Sequence, residues 1–270
     1  MVLGVAAYSQ VPKSTAGKAQ QPAKKTATKK QTSMTNPLLQ KSPLQYQAPQ
    51  FDKIKDSDFK PAFEYGLAEH LKQIEAIANN PKTPTFENTI LALETSGQNL
   101  RRAQSVFFNL TSANTNPTLQ KLEEEYSPVF AAHSDKMYLN DKLYKRVKTI
   151  YEKRNELALD AESKRLVEFY EQEFEIAGAN LSPEKKTELK KVNEQLATYS
   201  TLFSNKLLAA RKNGALLIDD VKELDGLSSD EIAATAEDAK NAGYPGKYLL
   251  ALQNTTQQPL LQNLKNRNVR

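Results

Sequence analysis

Two histidines are the side chains in this sequence with the greatest capacity for catalytic chemistry, since the chain contains His70, His133 and no cysteine. A hydrolytic zinc site on a helix uses the sequence H-E-x-x-H, in which two imidazoles bind one metal ion and the glutamate acts on its water. His70 precedes Leu71 and His133 precedes Ser134, so neither begins that motif. We expect His133, on an apolar stripe, to be a packed, hydrogen-bonded core residue and His70 to lie on a helix surface.

Other catalytic arrangements are also missing from the sequence. It contains no G-x-S-x-G nucleophile motif, no glycine-rich phosphate loop and no Walker lysine. Two pairs of adjacent carboxylates, Glu123 with Glu124 and Asp219 with Asp220, fall on predicted helix or turn surfaces. Solvated carboxylates lack the contrasting environments that separate an acid from a base. The sequence therefore predicts no catalytic, cofactor-binding or metal-binding residue.

The positive charge of the chain is concentrated near its amino terminus. The formal net charge is +5, and residues 1–35 contain six lysines and no acidic residue, which leaves 31 basic and 32 acidic residues in the remainder. A nearly neutral body lacks the basic face that binds phosphates, so we expect no nucleic-acid partner. A DNA-binding tail would instead give salt-sensitive binding that disappears when residues 1–35 are deleted. Residues 11–35 have so little apolar surface that we predict a disordered linker.

The first ten residues allow two interpretations. Met1–Ala7 is a short apolar run, and Ala7 and Ser9 are small residues at the two places that signal peptidase reads, but a positively charged leader is missing. If Met1–Gln10 is a truncated signal peptide, the protein is periplasmic or exported. If it is an arbitrary start to a flexible tail, the protein is cytoplasmic.

Apolar residues that recur at spacings of three and four predict the helices that would position these side chains. The predicted helices cover residues 56–78, 85–110, 117–137, 140–157, 160–178 and 182–213. Thr85, Asn116 and Ser182 are suitable capping residues for three of them. The longest helix would span roughly 45 Å and carries the apolar stripe Leu189, Val192, Leu196, Tyr199, Phe203, Leu207 and Ala210. We interpret all of these stripes as core faces.

The pattern changes after Gly214. Short apolar runs at residues 215–218 and 248–252 predict two strands, and Ser228 begins a capping box for a helix between them. No run approaches the roughly 20 apolar residues of a transmembrane helix. The predicted fold is mostly α, with a multi-helix bundle at residues 36–214 and a small α/β element at residues 215–270.

Five motifs, in order, carry a more specific resemblance. They are F-D-K-I from Phe51 with D-F-K-P-A-F-E from Asp58, P-T-F-E-N-T-I from Pro84 with A-L-E from Ala92 and S-G from Ser96, G-A-N-L from Gly178, L-D-G-L from Leu224, and L-Q-N-T-T-Q-Q-P from Leu252 with N-R from Asn266. Together they resemble the amino-terminal region of the thimet-oligopeptidase-like zinc metallopeptidases, and most of all the bacterial peptidyl-dipeptidases, also called dipeptidyl carboxypeptidases. The resemblance covers Asn36–Arg270.

The resemblance implies a large enzyme with two mostly helical halves around a peptide channel. In that family the zinc helix lies in the later half, where the metal polarises a water molecule and a glutamate acts as general base. The family's zinc ligands have no counterpart in this sequence, so the resemblance implies a non-catalytic channel wall and lid that is inactive alone. Zinc would be the cofactor of the full-length enzyme, and oligopeptides would be its substrates through the missing catalytic half.

The sequence also allows a second class of function, a binding module. A helical module derived from such an enzyme would bind peptides or a partner protein without cleavage. An H-E-x-x-H sequence encoded after Arg270 would favour the peptidase, and a stop codon there would favour the binding module. We also expect the isolated chain to expose an apolar surface where the missing half would dock, and therefore to associate.

Overall fold

The computed structural model describes residues 36–270, apart from the side chains of residues 212 and 254–256. The predicted disordered linker and the localisation predictions that rest on Met1–Gln10 concern residues outside this range. Between residues 36 and 270, no helix combines the length and the apolar character that a membrane span requires.

A bundle of amphipathic helices makes up most of the described chain. The helices are α1 (Asp56–Ala78), α2 (Gln98–Ala113), α3 (Pro117–Tyr138), α4 (Asp141–Lys153), α5 (Ala161–Ile176) and α6 (Pro183–Asn213). The side chains of Asn116 and Ser182 accept hydrogen bonds from backbone N–H groups in the first turns of α3 and α6. A proline follows each cap, where its missing N–H group costs no helical hydrogen bond. The predicted starts of these two helices are therefore confirmed.

The prediction of one continuous helix over residues 85–110 is wrong. Thr85 caps a π-helical turn, Phe86–Leu91, which continues into Ala92–Glu94, and the chain then breaks before α2 begins. Gly97 stands at the break with a φ angle of 66°. That left-handed conformation favours glycine and ends a helix, whereas the apolar spacing of the sequence continues through it.

Two apolar cores hold the bundle together. The first lies between α1, α2 and α3, where the ring of Phe107 is 5.1 Å from the rings of both Phe59 and Phe63. The second joins the end of α1 to α4 and α5, and includes the fully buried side chains of Val147 and Phe174. Full burial of such side chains contributes about 1.5–3 kcal/mol each. Both α1 and α3 contribute side chains to the two cores and so connect them.

The residues after α6 form a small unit with its own core. Its elements are β1 (Leu216–Ile218), α7 (Ser229–Asn241), β2 (Tyr248–Leu250) and α8 (Asn254–Asn263), and the two strands pair antiparallel. The capping box predicted at Ser228 starts α7. The core consists of Ile218, Leu224, Leu250, Leu260 and Leu264. The predicted fold class, mostly α with two short strands near the end of the chain, is confirmed, and the domain boundaries stay predictions.

Candidate functional site

His70 and His133 are in direct contact, although they are 63 residues apart in the sequence. The Nε2 atom of His133, on α3, lies 2.9 Å from the Nδ1 atom of His70, on α1. The Nε2 atom of His70 lies 3.1 Å from the hydroxyl oxygen of Ser96. His133 is buried and His70 is half-buried. The prediction of a packed, hydrogen-bonded His133 is confirmed. The prediction of a surface position for His70 is wrong, because the segment that contains Ser96 packs over this side of α1.

The hydrogen-bond directions in this cluster require the ring of His70 to be neutral. The Ser96 hydroxyl donates to the carbonyl of Leu93 at 2.7 Å, so its oxygen accepts the N–H of His70. The other ring nitrogen of His70 is then an acceptor and receives the N–H of His133. Burial, together with nearby His133 and Arg101, lowers the pKa of His70 to about 4. Burial also lowers the pKa of His133.

Gly97 allows the ring of His70 to occupy this position. A β-carbon on Gly97 would lie 2.9 Å from ring atoms of His70, which is closer than side-chain atoms approach in proteins. The backbone N–H of Gly97 also donates to the side-chain oxygen of Gln73 on α1, at 2.8 Å. The Ser96–Gly97 motif therefore fixes the break between two helical segments against α1, and sequence reasoning did not assign it this role.

The histidine pair does not fit a zinc site. A protein zinc site uses at least three side-chain ligands, and between residues 36 and 270 there is no group of three or more His, Cys, Asp or Glu side chains that would hold a metal ion. The two nitrogens that face each other are joined by a hydrogen bond and do not converge on a third point. We therefore derive no catalytic step from His70 and His133.

The two carboxylate pairs differ in their surroundings. Asp219 and Asp220 are both exposed, as predicted. Glu124 is exposed and accepts a hydrogen bond from Asn205 at 2.9 Å. Glu123 is half-buried, and this burial raises the pKa of its carboxyl group, so the prediction of a solvated side chain is wrong for this residue. Across the interface between α2 and α3, the hydroxyl of Thr111 donates to the Glu123 carboxylate at 3.5 Å.

The most specific motif of the resemblance, P-T-F-E-N-T-I, has a structural role around Asn88. The side-chain oxygen of Asn88 accepts hydrogen bonds from the backbone N–H of Thr85 at 3.0 Å and from the guanidinium group of Arg146 at 2.7 Å. Arg146, which is 7% exposed, also donates to the carbonyls of Asn80 and Lys82. One buried arginine on α4 therefore holds the whole connection between α1 and the Thr85 cap.

The L-D-G-L motif also has a structural role. Leu224 is fully buried, and the carbonyl of Asp225 accepts the backbone N–H of Lys265 at 2.9 Å. Gly226 has a φ angle of 103°, and a β-carbon there would lie 2.0 Å from the carbonyl oxygen of Asn263. The motif therefore forms a tight turn that packs against the last segment of the chain, at Asn263 and Lys265.

Three hydrogen bonds between side chains join the long helix α6 to α3. Asn193 donates to the buried carboxylate of Asp135 at 2.7 Å, and Thr201 donates to the hydroxyl of Ser127 at 2.8 Å. Asn205 extends this seam to Glu124, as described above. Each of these three donors lies on α6 and each acceptor on α3, so the seam fixes the orientation of α6 about its own axis.

Six of the seven residues of the predicted apolar stripe of α6 are exposed and Leu189 is half-buried, so the interpretation of this stripe as a core face is wrong. The exposed fractions are 51% for Val192, 63% for Leu196, 65% for Tyr199, 68% for Phe203 and 42% for Leu207. At 100° per residue this stripe lies about two-fifths of a turn from the residues that hydrogen-bond to α3. The polar face of α6 thus packs inward while its apolar face points outward. We call these five residues the α6 stripe.

Comparison with known proteins shows that this chain is similar to bacterial peptidases. No protein-family model matches this chain. The chain is 48% identical over 236 residues to a protein named dipeptidyl carboxypeptidase from Salmonella typhimurium, which covers 87% of this chain and 35% of that protein. It is 46% identical over 235 residues to the Escherichia coli protein of the same name, with 87% and 34% covered. It is 27% identical over 238 residues to oligopeptidase A from Haemophilus influenzae, with 88% and 34% covered.

The predicted resemblance is therefore confirmed: this chain is a homologue of bacterial peptidases. Its relatives at 46–48% identity carry the name dipeptidyl carboxypeptidase. The chain spans about a third of the length of these relatives.

Proposed function

We propose that this chain forms the amino-terminal, non-catalytic wall of a zinc metallopeptidase that releases dipeptides from the carboxyl end of oligopeptides. The observation that carries the proposal is 48% identity to a dipeptidyl carboxypeptidase over 87% of the chain. Zinc would be held by the part of the enzyme that corresponds to the remaining length of the relatives. The chain alone would be inactive.

The shape of α6 supports a role as a wall. With 31 residues, α6 is the longest helix of the described chain, and at 1.5 Å per residue it is about 45 Å long. Its polar contacts with α3 hold it in a fixed orientation. A rigid helix of this length suits a surface that borders a channel.

A second candidate function is peptide or protein binding without catalysis. The exposed aromatic side chains of Tyr199 and Phe203 favour it, because exposed aromatic residues commonly anchor binding partners. This candidate predicts that the isolated chain binds oligopeptides, whereas the channel wall requires the catalytic part for peptide affinity.

A chimera tests the proposed function. The 235 residues of the E. coli dipeptidyl carboxypeptidase that match this chain are replaced by the matching residues of this chain. We expect the purified chimera to release the carboxyl-terminal dipeptide from a blocked tetrapeptide at a rate within about tenfold of the parent enzyme, because near-native packing preserves the catalytic geometry. A tetrapeptide with an amidated carboxyl terminus is the substrate control. A folded chimera without activity would contradict the proposal.

A further inference from the structure

We infer that the α6 stripe is the surface on which the catalytic part of the longer peptidase packs. The inference rests on the proposed function and adds to it the residues that join the two parts. It starts from the inverted orientation of α6, whose hydrogen-bonding side chains face α3 while five large apolar side chains remain exposed.

The exposure of the α6 stripe is too regular to be incidental. Single exposed apolar residues are normal on protein surfaces, but contiguous patches of several hundred Å² mark interaction sites. Val192, Leu196, Tyr199, Phe203 and Leu207 follow one another at spacings of three and four residues along one face. Together they expose roughly 500 Å², if a fully exposed large apolar side chain presents about 150–250 Å².

The charge distribution along α6 indicates an apolar partner. Seven charged residues lie between Glu184 and Glu194, whereas Gln195–Asn205 contains none. A solvated helix normally carries charged residues on its outer face. The uncharged segment has the length of three helical turns and coincides with the most exposed part of the stripe. Its partner is therefore an apolar, uncharged surface and not a phosphate-bearing or strongly acidic molecule.

The catalytic part of the same polypeptide fits this surface better than a second copy of the chain does. Two copies that covered each other's stripe would bury about 1,000 Å², below the range of about 1,200–2,000 Å² for specific, stable complexes. Domains of one polypeptide pack through interfaces of about 600–1,500 Å², because the covalent link supplies a high effective concentration. The peptidase relatives contain about twice as much further chain as the matched part, which is sufficient to cover the stripe.

Hydroxyl-radical footprinting tests the inference directly. Oxidation of Tyr199 and Phe203 is measured by mass spectrometry in the isolated chain and in the E. coli chimera described above. We expect both rings to be oxidised readily in the isolated chain and at least about fivefold more slowly in the chimera, because an interface core excludes water. Equal oxidation in the two proteins would overturn the inference.

A pair of substitutions separates docking from local stability. Phe203→Asp introduces a charge into the stripe, and Lys191→Asp introduces the same side chain on an exposed face of α6 that is neither the stripe nor the α3 contact. In the chimera we expect Phe203→Asp to lower dipeptide release by at least about tenfold, because it displaces one part of the enzyme relative to the other. The thermal midpoint of the isolated chain should not fall with either variant, and Lys191→Asp should leave the chimera's activity unchanged. A Phe203→Asp chimera with full activity would contradict the docking surface.

The remaining outcomes distinguish the occupants. Protection of the rings that appears only when the tetrapeptide is added would identify a peptide-binding face and overturn the inference. Protection of both rings in the isolated chain at low protein concentration, together with stable dimers in sedimentation, would identify a second copy and also overturn it. An inactive chimera with protected rings would retain the docking surface and reject the proposed function. Should the chimera not fold, a smaller exchange of residues 117–213 carries the same stripe.

Discussion

At the scale of single residues, the hydrogen-bonded pair of His70 and His133 joins α1 to α3. Both rings are neutral in the folded protein because burial lowers the pKa of each. The nearby positive groups of Arg101 and Lys136 act in the same direction. Protonation of both rings would place two N–H groups against each other. The pair therefore makes the bundle sensitive to acid.

This sensitivity predicts a stability change between neutral and mildly acidic pH. The folded-state pKa of His70 is about 4, below the value of about 6.5 in an unfolded chain. The unfolded state therefore binds more protons, and stability that is fully present above about pH 6.5 is lost as the pH falls towards about 4. Urea unfolding at about pH 7.5 and about pH 5 should show a loss of about 1–2 kcal/mol, reduced by the partial exposure of the pair.

The control for this prediction removes the titrating groups. In the double variant His70→Asn/His133→Asn, the carboxylates still titrate but the imidazoles do not. We expect its stability to change less with pH than that of the original chain. Equal pH dependence in the two proteins would show that the histidine pair has no part in it.

Arg146 is the second residue whose removal should have a large effect. Its guanidinium group satisfies two backbone carbonyls and the Asn88 side chain in a buried position. Arg146→Met should lower the free energy of unfolding by about 3 kcal/mol, because the acceptors lose a charged donor while they remain buried. Arg165→Met is the matched control, since the side chain of Arg165 is 67% exposed. Equal urea midpoints for the two variants would contradict the assigned role.

At the scale of elements, the turn at Gly226 connects the last segment of the chain to the small α/β unit. Gly226→Ala places a β-carbon 2.0 Å from the Asn263 carbonyl oxygen, whereas Gly243→Ala places one in open space. Both glycines have positive φ, of 103° and 89°, so both variants carry the same backbone strain of about 1 kcal/mol. We expect Gly226→Ala to cost at least about 2 kcal/mol more than Gly243→Ala in thermal unfolding, since the backbone must move. Similar midpoints for the two would refute the close contact.

The α6 stripe should also determine how the isolated chain behaves in solution. Exposed apolar rings bind hydrophobic dyes and promote association. The double variant Tyr199→Lys/Phe203→Lys should lose most of the dye fluorescence and sediment as a smaller species at high concentration. Lys191→Asp provides the control on the same helix. An isolated chain that is monomeric and binds no dye would contradict the exposure of the stripe.

Local sequence signals predicted the element boundaries better than the element faces. The caps at Asn116 and Ser182 depend on residues a few positions away, so the sequence contains the whole signal. The periodicity of α6 shows that one face is apolar but not whether that face is covered. Burial of the polar seam depends on Asp135 and Ser127, which are more than 50 residues distant.

The candidate site likewise combines features that are visible in the sequence with contacts that arise only on folding. The absence of H-E-x-x-H is visible in the sequence, whereas the contact between His70 and His133 arises only when α1 and α3 pack together. The Ser96–Gly97 pair was visible as a motif. Its effect on His70 was not, because the contact spans 26 residues and requires the chain to break before α2.

At the scale of the whole molecule, the residues that the structure describes contain no group of three or more His, Cys, Asp or Glu side chains that would hold a metal ion. Two apolar cores stabilise the bundle, a polar seam orients α6, and the α6 stripe remains open. The proposed place of this chain in a longer peptidase accounts for the open stripe, since its relatives are about three times as long as the matched segment.

The most direct test of this account is a zinc and activity measurement on the purified, untagged 270-residue chain. The chain is dialysed against zinc, analysed for bound metal, and incubated with a blocked tetrapeptide in the presence and absence of a chelator. We predict no stoichiometric zinc and no release of dipeptide, since two histidines that bond to each other cannot complete a hydrolytic zinc site. One zinc ion per chain, with dipeptide release that the chelator abolishes, would contradict the account.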